Sequence, residues 1–352
     1  MLKRLLSAIS VGVVSTVMSM SVGVAADTYT LKYGHVTAAS DVSDDHIAAL
    51  WLEDFLERNS NGRIQVEIFP AAQLGGFREM LEQVQLGTLE MTQTTGGGIS
   101  GFFPEIQVLD IPYILPNDLV TTKLGESVFF DKVRAEVLKK TQNLRLVAVA
   151  NTGNWRNFVT NKPVTDVSGL ETLKIRTIDS PIQLKFTEAL GANPTPVPWG
   201  ELYSALSTGV VDGTKNSMAD VMRFKLGEVL DHAFLDRHSF LYGYFWVSDR
   251  WLKSLPSDLQ QLVVEGVTQA ASIQARVNER DESVYSALFE KSGGKITLPS
   301  EADRAVMKKA QAVAKDWFVE EYGSEWLDLL EASIKEAEAD IANNAERILS
   351  DN

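Results

Sequence analysis

Arg176 and Asn216 are residues whose types and positions could bind a small anion. Arg176 lies near the end of segment 170–177, in which apolar and charged residues alternate as in a half-buried strand. A guanidinium there offers two parallel donors that fit a carboxylate, which a lysine cannot offer. Asn216 follows a second short apolar run and could donate its amide to the same carboxylate or to a hydroxyl. On residue type alone, an arginine at a strand end is more often an exposed charge.

The segment between these two residues predicts how they are brought together. A helix begins at Pro181, and segment 191–200, rich in proline, breaks regular structure and places Trp199 ahead of a second helix. A short apolar strand follows. Such a unit is a right-handed crossover, which puts Arg176 and Asn216 at the carboxyl ends of neighbouring parallel strands. Open α/β sheets bind their ligands at those ends.

Four motifs occur in order within this unit: KIR at 174–176, PTPVPW at 194–199, LYSAL at 202–206, and GVVDG at 209–213 with Asn216. Together they resemble the solute-binding proteins of tripartite ATP-independent periplasmic (TRAP) transporters, of the type that binds C4-dicarboxylates. The resemblance extends over nearly all of the mature chain. It implies the two-lobed α/β fold of periplasmic binding proteins, with a mixed, mostly parallel sheet flanked by helices in each lobe and a long helix bracing both.

The resemblance implies roles for further residues. Arg156 matches a second arginine that many family members use on the ligand carboxylate, although its aromatic and asparagine neighbours would also suit a structural hinge. Trp199 would give the ligand a flat apolar wall, with ordinary packing as the alternative. The predicted ligand-binding residues are, in full, Arg176, Arg156, Asn216, Trp199, His35, Gln93, Thr94, Thr95 and Phe77.

Two of these residues bear on the ligand's chemistry. Phe77 and Thr95 fall about where sialic-acid-binding members carry acidic side chains, so we expect a cleft that lacks those carboxylates. A compact mono- or dicarboxylate, a 2-oxo acid or a sugar acid is then favoured over a sialic acid or a zwitterionic amine. The paired acids Asp44 and Asp45 lie at a predicted helix start, where solvated surface is the expected role.

The first 26 residues have the pattern of a secretory signal peptide. A basic start precedes a mostly apolar run and a small-residue cleavage site, Val24-Ala25-Ala26. We therefore expect residues 1–26 to be removed and the protein to lie in the periplasm; an uncleaved membrane anchor is the alternative. Segments 151–158 and 240–248 are predicted to cross between lobes. Lobe I is then 27–153 with 242–281, and lobe II is 154–241 with 282–352, with the ligand cleft between them.

Composition limits the classes of function. The sequence has no cysteine, which excludes disulfides and thiolate catalysis, and its formal net charge of −14 makes nucleic acid and anionic membranes poor partners. No Walker A or dinucleotide motif, no Gly-x-Ser-x-Gly elbow and no histidine metal pattern occurs. We therefore expect no cofactor, no catalytic residues and no enzyme. No metal ligands are predicted, with a metal in the cleft as the alternative, because the resemblance implies that a minority of relatives use one.

The function that the resemblance implies is that of an extracytoplasmic solute receptor. It would bind a small organic acid and deliver it to the membrane subunits of a TRAP permease, as a monomer. A sensor that presents its ligand to a receptor kinase would have the same cleft, and a secreted lyase or hydrolase is the remaining alternative.

Other segments carry simpler expectations. Residues 144–150 form an apolar run typical of a parallel sheet, and Gly96, Gly97 and Gly98 predict a flexible loop. A helical run is expected from 251 to 288, with 301–350 helical again.

Overall fold

The computed structural model describes residues 27–279 and 282–350. The predicted signal peptide and the predicted helical join at 280–281 lie outside these residues. No helix in the described part of the chain is long and apolar enough to cross a lipid bilayer.

Helices and short strands alternate along most of the chain. The strands are β1 Tyr29–Gly34, β2 Ile64–Phe69, β3 Met91–Thr94, β4 Leu144–Thr160, β5 Lys174–Thr177, β6 Asn193–Pro196, β7 Gly213–Asn216, β8 His232–Ser248 and β9 Lys295–Thr297. The helices are α1 Asp44–Asn59, α2 Phe77–Leu86, α3 Gly96–Ile99, α4 Asp118–Leu124, α5 Val128–Thr141, α6 Pro181–Ala189, α7 Leu202–Ser207, α8 Met218–Arg223, α9 Asp249–Ser254, α10 Ser257–Glu279, α11 Glu282–Lys291, α12 Glu301–Tyr322 and α13 Glu325–Ser350.

One sheet joins both halves of the molecule. Its strand order is β2-β1-β3-β8-β4-β7-β5-β6, with β9 beside β8. Parallel strands form each end of the sheet, and β4 and β8, each 17 residues long, pair antiparallel through the middle. The predicted crossing segments fall within these two long strands. This is the two-lobed α/β fold that the sequence predicts, while the proposed lobe boundaries at 153/154 and 241/242 stay a prediction.

Helix α10, which is 23 residues long, packs across the middle of the molecule. Helix α10 contacts α1 and β4, and its buried residues Val263, Val267 and Ala271 join a core with Leu52 and Ala148. Because β4 runs through both halves of the sheet, α10 braces them as expected.

Two local predictions are wrong because a sequence run does not reveal its neighbours. Residues 144–150 begin β4, which pairs antiparallel with both β7 and β8; an apolar run indicates burial on both faces but not strand direction. The segment 191–200 contains a strand, β6, which pairs parallel with β5. Strand β6 is at the edge of the sheet, where the missing N–H of a proline is tolerated.

The triple glycine forms helix α3 rather than a flexible loop. A Cβ atom on Gly97 would lie 2.8 Å from Cδ1 of Ile178, and one on Gly98 would lie 2.8 Å from Cβ of Phe77. Glycine is therefore needed here for close approach between elements, not for a loop's freedom.

Candidate ligand-binding site

A cavity opens between the two halves of the sheet, beside the carboxyl ends of β1, β5 and β7. It contains about 460 Å³ of space, part of it open to solvent, which lies in the range of small-molecule sites. The residues that line it are Val36, Thr37, Asp44, Asp45, Phe77, Thr95, Thr152, Arg156, Arg176, Ile178, Trp199, Asn216, Asp220, Phe224 and Leu241.

Arg176 lies on β5, opposite Thr214 of the parallel strand β7, as the crossover predicts. Its side chain is buried, and its Nε donates to the carbonyl of Val197 at 2.9 Å. Its two terminal nitrogens find no acceptor among the residues that the structure describes. Burial and the neighbouring charge of Arg156 lower the pKa of Arg176 to about 9, which leaves it protonated at neutral pH.

Arg156 reaches the same cavity from β4. Only 4% of the residue is exposed, and its Nη1 donates to the carbonyl of Lys215 at 3.0 Å. Its Nε is buried without a hydrogen-bond partner. Burial lowers the pKa of Arg156, and the carboxylates of Asp110 and Asp220 oppose that effect. Two buried guanidinium groups with unused donors would bind an anion more strongly than surface arginines, because little water competes.

Asn216 also lines the cavity, but part of its amide is already bonded. Its Oδ1 accepts from the hydroxyl of Thr214 at 2.7 Å, and its Nδ2 donates to Oδ2 of Asp220 at 3.0 Å. One amide hydrogen of Asn216 is left for another acceptor.

Asp220 lies one helical turn beyond Asn216, on α8. Burial raises the pKa of Asp220 to about 6, and the charge of Asp44 acts in the same direction. The bond from Asn216 and the charges of Arg223 and Arg156 act against the rise. At neutral pH this carboxyl group is therefore mostly ionised, but it is easily protonated.

Asp44 and Asp45 correct one sequence expectation. Both lie in the first turn of α1, capped by Ser43, yet both are buried and line the cavity instead of facing solvent. The amide of Gln274 donates to both carboxylates. The expected solvated role of these two acids is therefore wrong, and they bring carboxylates into the cleft. Phe77 and Thr95 do line it, as the sequence predicts, but the carboxylates come from other elements.

Aromatic rings form the apolar part of the wall. Trp199 and Phe224 meet edge to face, with centroids 5.1 Å apart and planes at 88°. The guanidinium carbon of Arg176 lies 6.0 Å from the centroid of the Trp199 ring, so the indole also helps to hold that arginine.

Three predicted contacts are not brought into the cavity wall. His35 is buried against Thr37 and His46 through its two ring nitrogens, and burial lowers its pKa to about 3. Gln93 donates to Gln274 at 2.8 Å, and Thr94 accepts from the indole of Trp246 at 2.8 Å. None of these three side chains lines the cavity, and each is hydrogen-bonded to another protein side chain.

The sequence prediction also missed lining residues. Asp220 could have been found, since it is the third residue of the helix that begins after Ser217, and the first turn brings it back beside Asn216. No signal in the sequence shows that Thr37, Asp45 or Thr152 faces the cleft, because their positions depend on distant elements.

A second, larger space of about 820 Å³ lies between α4, α10 and the middle of β4, and it is a weaker candidate. Its arginine, Arg134, already bonds the carboxylate of Asp131 and the carbonyl of Gly125, at 3.0 and 3.1 Å. Within 27–279 and 282–350, no group of three or more histidine, aspartate or glutamate side chains is arranged to hold a metal ion.

The fold and the cleft define a periplasmic-type binding protein. The chain belongs to the bacterial extracellular solute-binding protein family 7, whose model matches residues 33–321. It is 28% identical to an ectoine/5-hydroxyectoine-binding periplasmic protein of Ruegeria pomeroyi, over 93% of this chain and 95% of that one. It is 26% identical to a C4-dicarboxylate-binding periplasmic protein of Rhodobacter capsulatus, over 95% of this chain and 99% of that one.

Solved structures agree with this assignment. A TRAP periplasmic solute-binding protein from Desulfovibrio salexigens with bound orotic acid is similar, with a TM-score of 0.81, 27% identity and coverage of 88% of this chain and 100% of that one. A second, from Polaromonas with bound D-erythronate, has a TM-score of 0.79, 25% identity and coverage of 87% and 99%. The family and these relatives are binding proteins.

Proposed function

We propose that this protein captures a small organic acid in the periplasm and delivers it to the membrane subunits of a TRAP transporter. The observation that carries the proposal is the pair Arg156 and Arg176, both buried in one cavity and both with donors that no described protein atom uses. A carboxylate would accept from these donors and offset the cost of burying two like charges.

Binding would act through closure of the cleft. The cavity wall includes Phe77 and Thr95 from the half of the sheet that holds β1 to β3, and Arg176 and Trp199 from the half that holds β5 to β7. A ligand that contacts both halves binds the closed form better than the open form and shifts the equilibrium by that difference in affinity. The closed surface would then be the form that the permease recognises.

The relatives support this ligand class. The ligands of three of them are a C4-dicarboxylate, orotic acid and D-erythronate, which are all carboxylic acids. We infer further that the chain acts as a monomer, catalyses no reaction, binds no nucleic acid and reaches the periplasm through residues 1–26.

A thermal-shift screen tests the proposal. The mature protein would be heated with carboxylates, amines, neutral sugars and sulfonates, and each hit repeated with Arg176→Ala. The matched control is Arg58→Ala, since that side chain is 74% exposed on α1. We expect a carboxylate to raise the melting temperature of the wild type and of the control but not of Arg176→Ala. Stabilisation by neutral or cationic compounds alone would contradict the proposal.

A further inference from the structure

The carboxylates in the cavity differ in how well their charge is balanced. Asp44 is the best balanced, because Nη1 of Arg223 lies 3.8 Å from its Oδ1. Its Oδ2 also accepts from Gln274 and Asn278, at 2.9 Å each. The charge of the Asp44 carboxylate is therefore already balanced by protein groups, so a cationic ligand would stabilise it little.

Asp45 and Asp220 have only neutral donors. Oδ1 of Asp45 accepts from the hydroxyl of Thr152 at 3.3 Å and from the amide of Gln274. Oδ2 of Asp220 accepts from Asn216 at 3.0 Å. Across the described ranges, no lysine or arginine nitrogen lies within 4.0 Å of either carboxylate.

Burying such carboxylates without a cation is costly. Burial raises the pKa of Asp45, and the adjacent Asp44 raises it further. Burial and the charge of Asp44 also raise the pKa of Asp220. A positive group placed in the cavity would therefore stabilise the ionised form of both Asp45 and Asp220.

A second observation shows that the same cavity is built for a ligand. Arg156 is more than nine-tenths buried and lines the cavity, and its Nε has no partner. The cavity thus combines unused cationic donors with two carboxylates that have no ion pair within 4.0 Å in the described ranges, although the more distant charges of Arg156 and Arg223 act on Asp220. The described acids are not arranged to hold a metal ion, whereas the aromatic faces of Trp199 and Phe224 suit an organic cation.

We propose that the ligand is a small zwitterion whose carboxylate binds Arg156 and Arg176 and whose protonated nitrogen binds between Asp45 and Asp220. This inference rests on the proposed function and narrows its ligand class to organic acids that carry an ammonium or amidinium group. It reverses the expectation that the residues at 77 and 95 disfavour such ligands.

Matched ligand pairs test the inference by calorimetry. Each pair differs only in the nitrogen: L-alanine against L-lactate, L-glutamate against L-2-hydroxyglutarate, and L-proline against tetrahydrofuran-2-carboxylate. Ectoine adds a cyclic amidinium, and succinate, orotate and D-erythronate are carboxylates without a cationic group. We expect ectoine or the nitrogen-bearing member of at least one pair to bind more than about tenfold tighter than every carboxylate that lacks the cation.

Two variants show which residues produce that preference. Asp45→Asn and Asp220→Asn keep the side-chain shape but remove the charge, so each should reduce the preference about tenfold or more. Asp41→Asn, an exposed acid close by in the chain, is the control and should leave the preference unchanged. Circular dichroism and the ligand-free melting temperature of the two cavity variants show whether they fold, and the loss of preference should come from weaker binding of the zwitterion.

The outcomes separate this inference from the proposed function. If hydroxy acids, succinate, orotate or D-erythronate bind as tightly as the zwitterions, or bind when no zwitterion does, the inference is wrong and the proposed function stands. A preference that survives in both aspartate variants also overturns it. If no carboxylate of any kind binds, the proposed function fails together with the inference.

Discussion

Replacing Arg176 by lysine separates the charge of this residue from its geometry. Lysine keeps the positive charge, but it cannot form two parallel bonds to a carboxylate while also bonding the carbonyl of Val197, as Arg176 does through Nε. A hydrogen bond to a charged group contributes about 1.5–3 kcal/mol, so we expect a loss of about 2–4 kcal/mol in binding free energy. This corresponds to an affinity about 30- to 1000-fold weaker.

The expected loss of binding free energy can be measured as a smaller rise in melting temperature when the ligand is added. A ligand at a hundred times its dissociation constant stabilises the wild type by about 2.7 kcal/mol, and the same concentration would stabilise Arg176→Lys by about 0.9 kcal/mol or less. With an unfolding entropy of about 0.7 kcal/mol/K for roughly 325 residues, the shifts are about 4 °C and about 1 °C.

The control for this experiment is Arg58→Lys, on the exposed face of α1. The ligand-free melting temperature of Arg176→Lys should stay close to that of the wild type, because the arginine is buried with few partners. If the affinity of Arg176→Lys for the ligand were within threefold of the wild-type affinity, two parallel donors from a guanidinium group would not be required to bind the carboxylate. That result would refute the proposed role of Arg176.

Three further predictions can be measured by calorimetry on the tightest ligand. Trp199→Ala should weaken binding about tenfold, because the ligand loses an apolar wall; unchanged affinity would remove the indole from the site. Gly97→Ala should also weaken binding, since the new Cβ would lie 2.8 Å from Ile178 and displace that lining residue, while Gly200→Ala, with no atom within 4 Å, should not. Amino-acid affinity should fall up to about tenfold from pH 7 to pH 5, because Asp220, with a pKa of about 6, loses its charge. A 2-hydroxy acid should show no such fall, and equal pH profiles would contradict the role of Asp220.

The crossover that positions Arg176 could be predicted because it is local. Its strands, helices and turns are marked by short-range signals, and a crossover through a helix joins parallel strands, whose carboxyl ends lie at the same edge of the sheet. The structure places Arg176 opposite Thr214, two residues before Asn216, as that rule requires. The proline-rich segment forms a strand that local signals do not reveal, because this strand depends on pairing with β5 at the edge of the sheet.

The acidic side of the cleft could not be predicted because it depends on distant parts of the chain. Asp44 and Asp45 begin a helix, where acids usually face solvent and interact with the helix dipole. They are buried because Gln274 and Asn278 of α10, more than two hundred residues away, donate to them. Contacts of this kind follow from packing and leave no local pattern in the sequence.

A crystal structure of the protein with its tightest carboxylate ligand tests the central claim most directly. The account predicts the carboxylate oxygens in the cavity between the two halves, within about 3 Å of the terminal nitrogens of Arg176 and of the unused donor of Arg156. A ligand in the larger space beside α4 and α10, or one whose carboxylate points away from both arginines, would contradict it.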